Sequence, residues 1–130
     1  MHKRGIEQER EFANLSCTDF THCERVAGSG SRLRAVCDAI LMMKGKTALV
    51  EIKTTRNPVF YVRGHVKEQL EEMKRICLKV NHIPILAIKF SRIGWFYAIV
   101  DDHLPSVLEP GIMEAYETDK LGGVFYENNS

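Results

Sequence analysis

Residues 37–55 constrain the fold more than any other stretch of the chain. Two β-prone runs, 37–43 (CDAILMM) and 46–55 (KTALVEIKTT), flank Lys44-Gly45. That pattern predicts a β-hairpin with a two-residue turn. Met43 then faces Lys46, paired residue numbers sum to 89, and Asp38 falls opposite Glu51. Side chains alternate across a strand, so Glu51 and Lys53 share one face while Val50 and Ile52 share the other. Opposite residues in such a hairpin have Cβ atoms about 4.5–5.5 Å apart. Two carboxylates that close repel each other unless a cation lies between them.

The donors in that arrangement are oxygens, which suit a hard cation, magnesium or manganese. The backbone carbonyl of Ile52 is a candidate third ligand beside Asp38 and Glu51. Lys53 cannot bind metal while protonated, but it can contact a scissile phosphate or position the attacking water. The chemistry this implies is metal-assisted phosphodiester hydrolysis. The plainer alternative for Glu51-x-Lys53 is a surface ion pair of little consequence.

Around the hairpin, residues 4–15 read as a helix with Ile6 and Ala13, and less cleanly Phe12 and Leu15, facing inward. Residues 21–27 read as a strand, broken by the Gly/Ser run 28–31. Phe60-Tyr61-Val62 is a short extended piece after Pro58. Residues 65–80 read as a helix with Val66, Leu70, Met73, Cys77 and Val80 on one stripe. Asn81 suits its end, and Pro84 stops continuation. Residues 83–90 are apolar enough for a buried central strand, and 94–100 form the last strand. Beyond 101 no element is legible. The expected fold is α/β: a mixed central sheet of about five strands flanked by helices, in one domain spanning 1–130 with its core in 3–100.

Charge separates along the chain. Residues 1–100 hold 17 Lys/Arg and 10 Asp/Glu, whereas 101–130 hold one Lys and seven Asp/Glu. A basic body suits a polyanionic partner such as nucleic acid, although charge alone favours the plainer reading of unevenly spread solvated charge. No apolar run approaches a membrane span, and the N-terminal residues lead into Glu-rich sequence, so neither a membrane anchor nor a signal peptide is expected. Cys17, Cys23, Cys37 and Cys77 contain no Cys-x-x-Cys pair, so zinc is not favoured and free thiols in a reducing cytoplasm are. His2, His22, His65, His82 and His103 show no metal-ligand spacing.

Asp38 followed thirteen positions later by Glu51-x-Lys53 resembles the PD-(D/E)XK nuclease motif, with Cys37 where that motif has proline. The wider chain resembles the archaeal Holliday-junction resolvases. Lys3-Arg4-Gly5 with Glu9-Arg10-Glu11 is similar to their N-terminal helix, and Arg25 through Gly28-Ser29-Gly30-Ser31 to their arginine and Ser-Gly-Ser loop. Phe60-Tyr61-Val62-Arg63, His65 to Gln69-Leu70, and Pro84 through Lys89-Phe90 to Trp95 follow in the same order. The likeness covers roughly residues 3–100 and implies a restriction-endonuclease-like fold.

The resemblance further implies that Glu9 completes a magnesium site with Asp38, Glu51 and the Ile52 carbonyl. Lys53 and Ser29 would be catalytic, with Ser31 the neighbouring alternative to Ser29. Arg10 and Arg25 would contact DNA phosphates. Apart from the resemblance, Arg32, Arg34, Arg56, Arg63 and Lys67 flank the site in sequence and fit phosphate contacts, and Lys3, Arg4 and Ser31 are further candidates for the DNA surface. A homodimer acting on four-way junctions in the cytoplasm of an archaeal cell, or of one infected by an archaeal virus, would follow. A different nuclease of the same superfamily, or an inactive module that binds branched DNA, remains open. Each residue also has a plainer reading: Glu9 as an exposed helix acid, Arg25 as a snorkelling strand residue, Ser29 and Ser31 as turn residues.

Overall fold

The structure, a computed structural model, describes residues 3–27 and 35–117, with side chains from residue 5 onward. The elements in chain order are α1 (Lys3–Leu15), β1 (Thr21–Arg25), β2 (Ala39–Met43), β3 (Lys46–Thr55), β4 (Phe60–Tyr61), α2 (Gly64–Val80), β5 (Ile83–Phe90), β6 (Gly94–Ile99), β7 (Val107–Leu108) and β8 (Glu114–Ala115). The main sheet is mixed, with order β1-β2-β3-β5-β6-β8, and β4 pairs with β7 separately. Only β3 and β5 run parallel, as expected where the long α2 crossover joins them. The β2–β3 ladder pairs Met43 with Lys46 and Ala39 with Val50, the register the two-residue turn predicts. Gly45 makes that turn possible, because its φ of +73° lies in the left-handed region that glycine enters without cost.

Alternation along β3 and β5 divides the core into two layers. Ala48, Val50, Ile52, Ile85 and Ala87 pack with Phe12 and Ala13 of α1. Leu49, Leu86, Ile88 and Phe90 pack with Leu70, Met73 and Cys77 of α2. The helix faces differ in detail from their periodicity. Phe12 is wholly buried while Leu15 is exposed, and Val80 is exposed in the last turn of α2. Asn81 caps α2 in the left-handed conformation, as asparagine tolerates.

The sheet has six strands, where the sequence predicts about five. The extra strand, β8, comes from the stretch past 101 that carries no legible pattern. It is two residues long, too short for periodicity to register. Behind it Tyr116 is buried, stacks on Phe12 with ring centroids 4.8 Å apart, and shares a 2.8 Å hydrogen bond with the buried Ser16 hydroxyl.

A polar clamp beside this seat fixes α1 to β5 and β6. Lys89 Nζ donates to both Glu11 oxygens at 2.7 and 2.8 Å, and Trp95 Nε1 donates to Glu11 Oε1 at 2.9 Å. The Lys89 bond, joined by the Trp95 bond against a smaller effect of burial, holds the Glu11 carboxyl below its usual 4.5. A carboxyl depressed in the folded state contributes stability above its unfolded pKa and loses it as pH falls through the folded value. Glu11→Ala should therefore cost about 1–2 kcal/mol at neutral pH, discounted because the carboxylate is partly solvated. Denaturant midpoints of the two proteins should converge as pH falls below 4.5 and through the folded carboxyl's own range; a gap unchanged from neutral pH to acid would assign the loss to packing alone.

Candidate active site

Three hydrogen bonds fix Asp38 just before β2 begins. The regular ladder ends at Ala39–Val50. Asp38 N–H still donates to the Val50 carbonyl at 2.9 Å, and the Asp38 carbonyl accepts from Val26 N–H at 2.9 Å. The chain at Asp38 is thus pinned from both neighbouring strands. Its side chain then takes over from the ladder, as Oδ2 accepts the Ile52 N–H at 2.8 Å. A strand residue directs its N–H and C=O to the same side. The Ile52 carbonyl therefore points towards the edge that Asp38 occupies.

Glu51 and Lys53 follow Leu49 on the α2 face of β3. Glu51 is only 6% exposed, and Lys53 Nζ lies 3.3 Å from its Oε2. The thiol of Cys37, buried in the same layer, is pushed up to about 11, first by burial and then by the charges of Asp38 and Glu51. Glu9 approaches from α1, with Oε1 3.7 Å from Arg25 Nη2. Burial, and then the Asp38 carboxylate, raise the Glu9 pKa, while Arg25 and Lys53 oppose them. Glu9, Arg25, Asp38, Glu51 and Lys53 thus form one electrostatic neighbourhood drawn from α1, β1, the start of β2, and β3.

These groups fit a hard divalent cation. Two carboxylates and a backbone carbonyl supply only oxygen, and a buried carboxylate beside a second one favours a cation between them. Among the described residues, no three His, Cys, Asp or Glu side chains are close enough to make a cage unaided. The fit rests on Asp38, Glu51 and the Ile52 carbonyl, with Glu9 beside them. The four cysteines are free thiols.

The remaining positions are distributed as follows. Arg10 and Arg56 are exposed, on α1 and just after β3. Arg63 caps α2 and its guanidinium sits 4.6 Å from the Tyr61 ring centroid. Lys3 and Arg4 belong to α1, but their side chains lie outside the described residues. Ser29, Ser31, Arg32 and Arg34 lie outside the described residues altogether.

Two site residues escaped the sequence reading. Lys53 Nζ donates to Gln69 Oε1 at 3.0 Å, and Gln69 Nε2 lies 3.3 Å from His65 Nε2. The signal available was a polar i, i+4 pair, His65 and Gln69, bordering the apolar stripe of α2. Gln69 acts on Lys53 and so positions it. Gln69→Ala should slow catalysis about 10- to 100-fold with DNA binding unchanged, because small misplacements of a reacting group are costly. Gln69→Glu, which keeps the acceptor, should restore most of the rate. Equal rates for the alanine variant and wild type would leave Gln69 a packing residue.

Comparison with known proteins follows this geometry. The family model described as "Archaeal holliday junction resolvase (hjc)" matches residues 1–107. The chain belongs to the archaeal Holliday-junction resolvase family. The 1.6 Å structure of Archaeoglobus fulgidus Hjc, a Holliday junction resolvase from an archaeal hyperthermophile, superposes with a TM-score of 0.71 at 17% identity. The match covers 92% of this chain and 100% of that one, and establishes the shared nuclease fold. The crystal structure of SSO0001 is more distant, with a TM-score of 0.37 at 20% identity over 95% of this chain and 54% of that one. Membership in the resolvase family supports a nuclease role for the chain. Residues 108–117, including β8 and Tyr116, lie beyond the family match. No helix among the described residues is long and apolar enough to cross a membrane.

Proposed function

We propose that the chain is a magnesium-dependent endonuclease that resolves four-way DNA junctions as a homodimer. The observation that carries this reading is the pinned Asp38 carboxylate on the Ile52 N–H, beside buried Glu51 and its partner Lys53. Asp38, Glu51, the Ile52 carbonyl and Glu9 would hold the cation, for which manganese is a substitute. When bound, the cation supplies Lewis-acid stabilisation of the phosphate and lowers the pKa of the attacking water.

The chain's own residues do the rest. Lys53 offers its ammonium to a non-bridging phosphate oxygen, where negative charge builds as water adds to phosphorus and one P–O ester bond breaks. Gln69 holds that ammonium in place. Arg25, Arg10, Arg56 and Arg63 supply phosphate contacts that orient the strand without reading bases. Lys3, Arg4, Ser31, Arg32 and Arg34 extend that surface in this reading, and Ser29 takes part in cleavage. A junction has approximate two-fold symmetry, and a symmetric pair of subunits presents two sites at a fixed separation for two matched cuts. The expected setting is the cytoplasm of an archaeal cell or of one infected by an archaeal virus.

The test is cleavage of a synthetic four-way junction with magnesium or with chelator, beside a linear duplex of the same sequence. Paired, magnesium-dependent nicks in the junction with the duplex spared are expected. Equal cutting of both substrates would point to a different DNA nuclease. Tight junction binding without nicking would reduce the chain to a binding module.

A further inference from the structure

The ends of the two parallel strands form a second polar site, on the α1 side of the sheet. β3 ends at Thr55 and β5 at Phe90, and Ser91 N–H donates to the Thr55 carbonyl at 2.9 Å, tying the two exits together. Between them and α1 lies a cavity of about 520 Å³, lined by Thr54, Thr55, Ser91, Arg56, Arg92, Lys89 and Gln8. Ligands of α/β sheets collect outside the carboxyl ends of parallel strands, and this cavity sits there.

Its chemistry is one-sided. Among the described residues no carboxylate lines it. The Lys89 ammonium is already held by Glu11. Arg56 and Arg92 pair with no carboxylate among the described residues, and three hydroxyls stand beside them. Gln8 contributes an amide whose Oε1 is sealed from solvent without a hydrogen-bond partner. A buried polar atom left unsatisfied is costly; a phosphate cannot donate to this oxygen, but with the amide turned over its NH2 donates to an anion at the same place. Arg92 holds φ at +69°, a conformation that disfavours a long side chain and marks a site where function can offset strain.

We propose that this cavity binds a backbone phosphate of the DNA arm, a few nucleotides from the phosphate that is cut. The proposal rests on the nuclease reading above. Thr55 lies four residues beyond Glu51, roughly 13 Å along an extended strand. Each strand of a duplex advances about 3.4 Å along the axis per phosphate, so the separation is on the order of three or four phosphates. Arg56 and Arg92 grip the anion, and Thr54, Thr55 and Ser91 donate to its oxygens. The contact fixes how far the arm reaches past the cut.

The experiment uses the full chain and synthetic junctions carrying one neutral methylphosphonate at each successive backbone position, with binding measured in metal-free buffer. Wild type should lose affinity at positions around the cut and at a further, separate phosphate. Arg56→Ala with Arg92→Gly, the glycine preserving the left-handed turn, should bind the unmodified junction about tenfold more weakly, with a salt slope smaller by about 1. That variant should also lose sensitivity at the further phosphate alone. Arg56→Gln with Arg92→Asn, judged folded by circular dichroism, should behave alike. An unchanged interference pattern and salt slope in both variants overturn the phosphate site and leave the nuclease reading standing. A wild-type chain that does not bind the junction overturns the nuclease reading, and this site with it.

Discussion

Glu51→Gln is expected to reduce junction cleavage by roughly 10³-fold or more, the rate equivalent of several kcal/mol of lost metal-ion stabilisation. The substitution keeps the shape of a side chain that is 6% exposed, so the fold tolerates it. It removes one charge from beside Asp38 and breaks the 3.3 Å contact with Lys53. In metal-free buffer these two losses oppose each other, and junction binding should persist because the basic surface is untouched. A readout independent of activity follows from linkage. Magnesium or manganese should raise the thermal midpoint of the wild type and leave that of the variant unmoved. Wild-type cleavage by Glu51→Gln would remove this residue from the metal site.

Phe12→Ala should destabilise the protein by about 3–5 kcal/mol, the usual loss for a fully buried phenyl ring. Phe12 has no exposure and lies between Trp95 and Tyr116, with ring centroids 5.3 and 4.8 Å away. Its removal opens a cavity beneath the helix that carries Glu9. Cleavage should therefore fall even at temperatures where the variant stays folded, since Glu9 loses its rigid support. Denaturant unfolding gives the first effect and junction cleavage well below the midpoint gives the second. A loss below about 1 kcal/mol would mean that α1 is seated mainly by the Glu11 clamp.

How much of this was legible follows from range. The β2–β3 register was readable because a two-residue turn and period-two alternation are local rules. The structure keeps that register from Met43–Lys46 to Ala39–Val50. The neighbourhood of Glu9 and Arg25 was reachable only through family likeness, because it depends on how α1 lies against β1 across the loop 16–20. Gln69 was missed for the same reason: α2 must lie over β3 before the amide meets Lys53. Leu15 and Val80 fit a helical apolar stripe but end up exposed, each being the last residue of its helix. β8 and the Tyr116 contact left no local pattern at all, as two strand residues and one aromatic are set by the partner surface alone.

The bond between Ser16 and Tyr116 spans one hundred residues. During synthesis, helix α1 emerges first, yet its aromatic seat is unfinished until position 116 has cleared the ribosome. Such distant pairings form late because the intervening loop must close before they are rewarded. A chain cut short of Tyr116 thus carries Glu9 on a helix whose aromatic seat is incomplete.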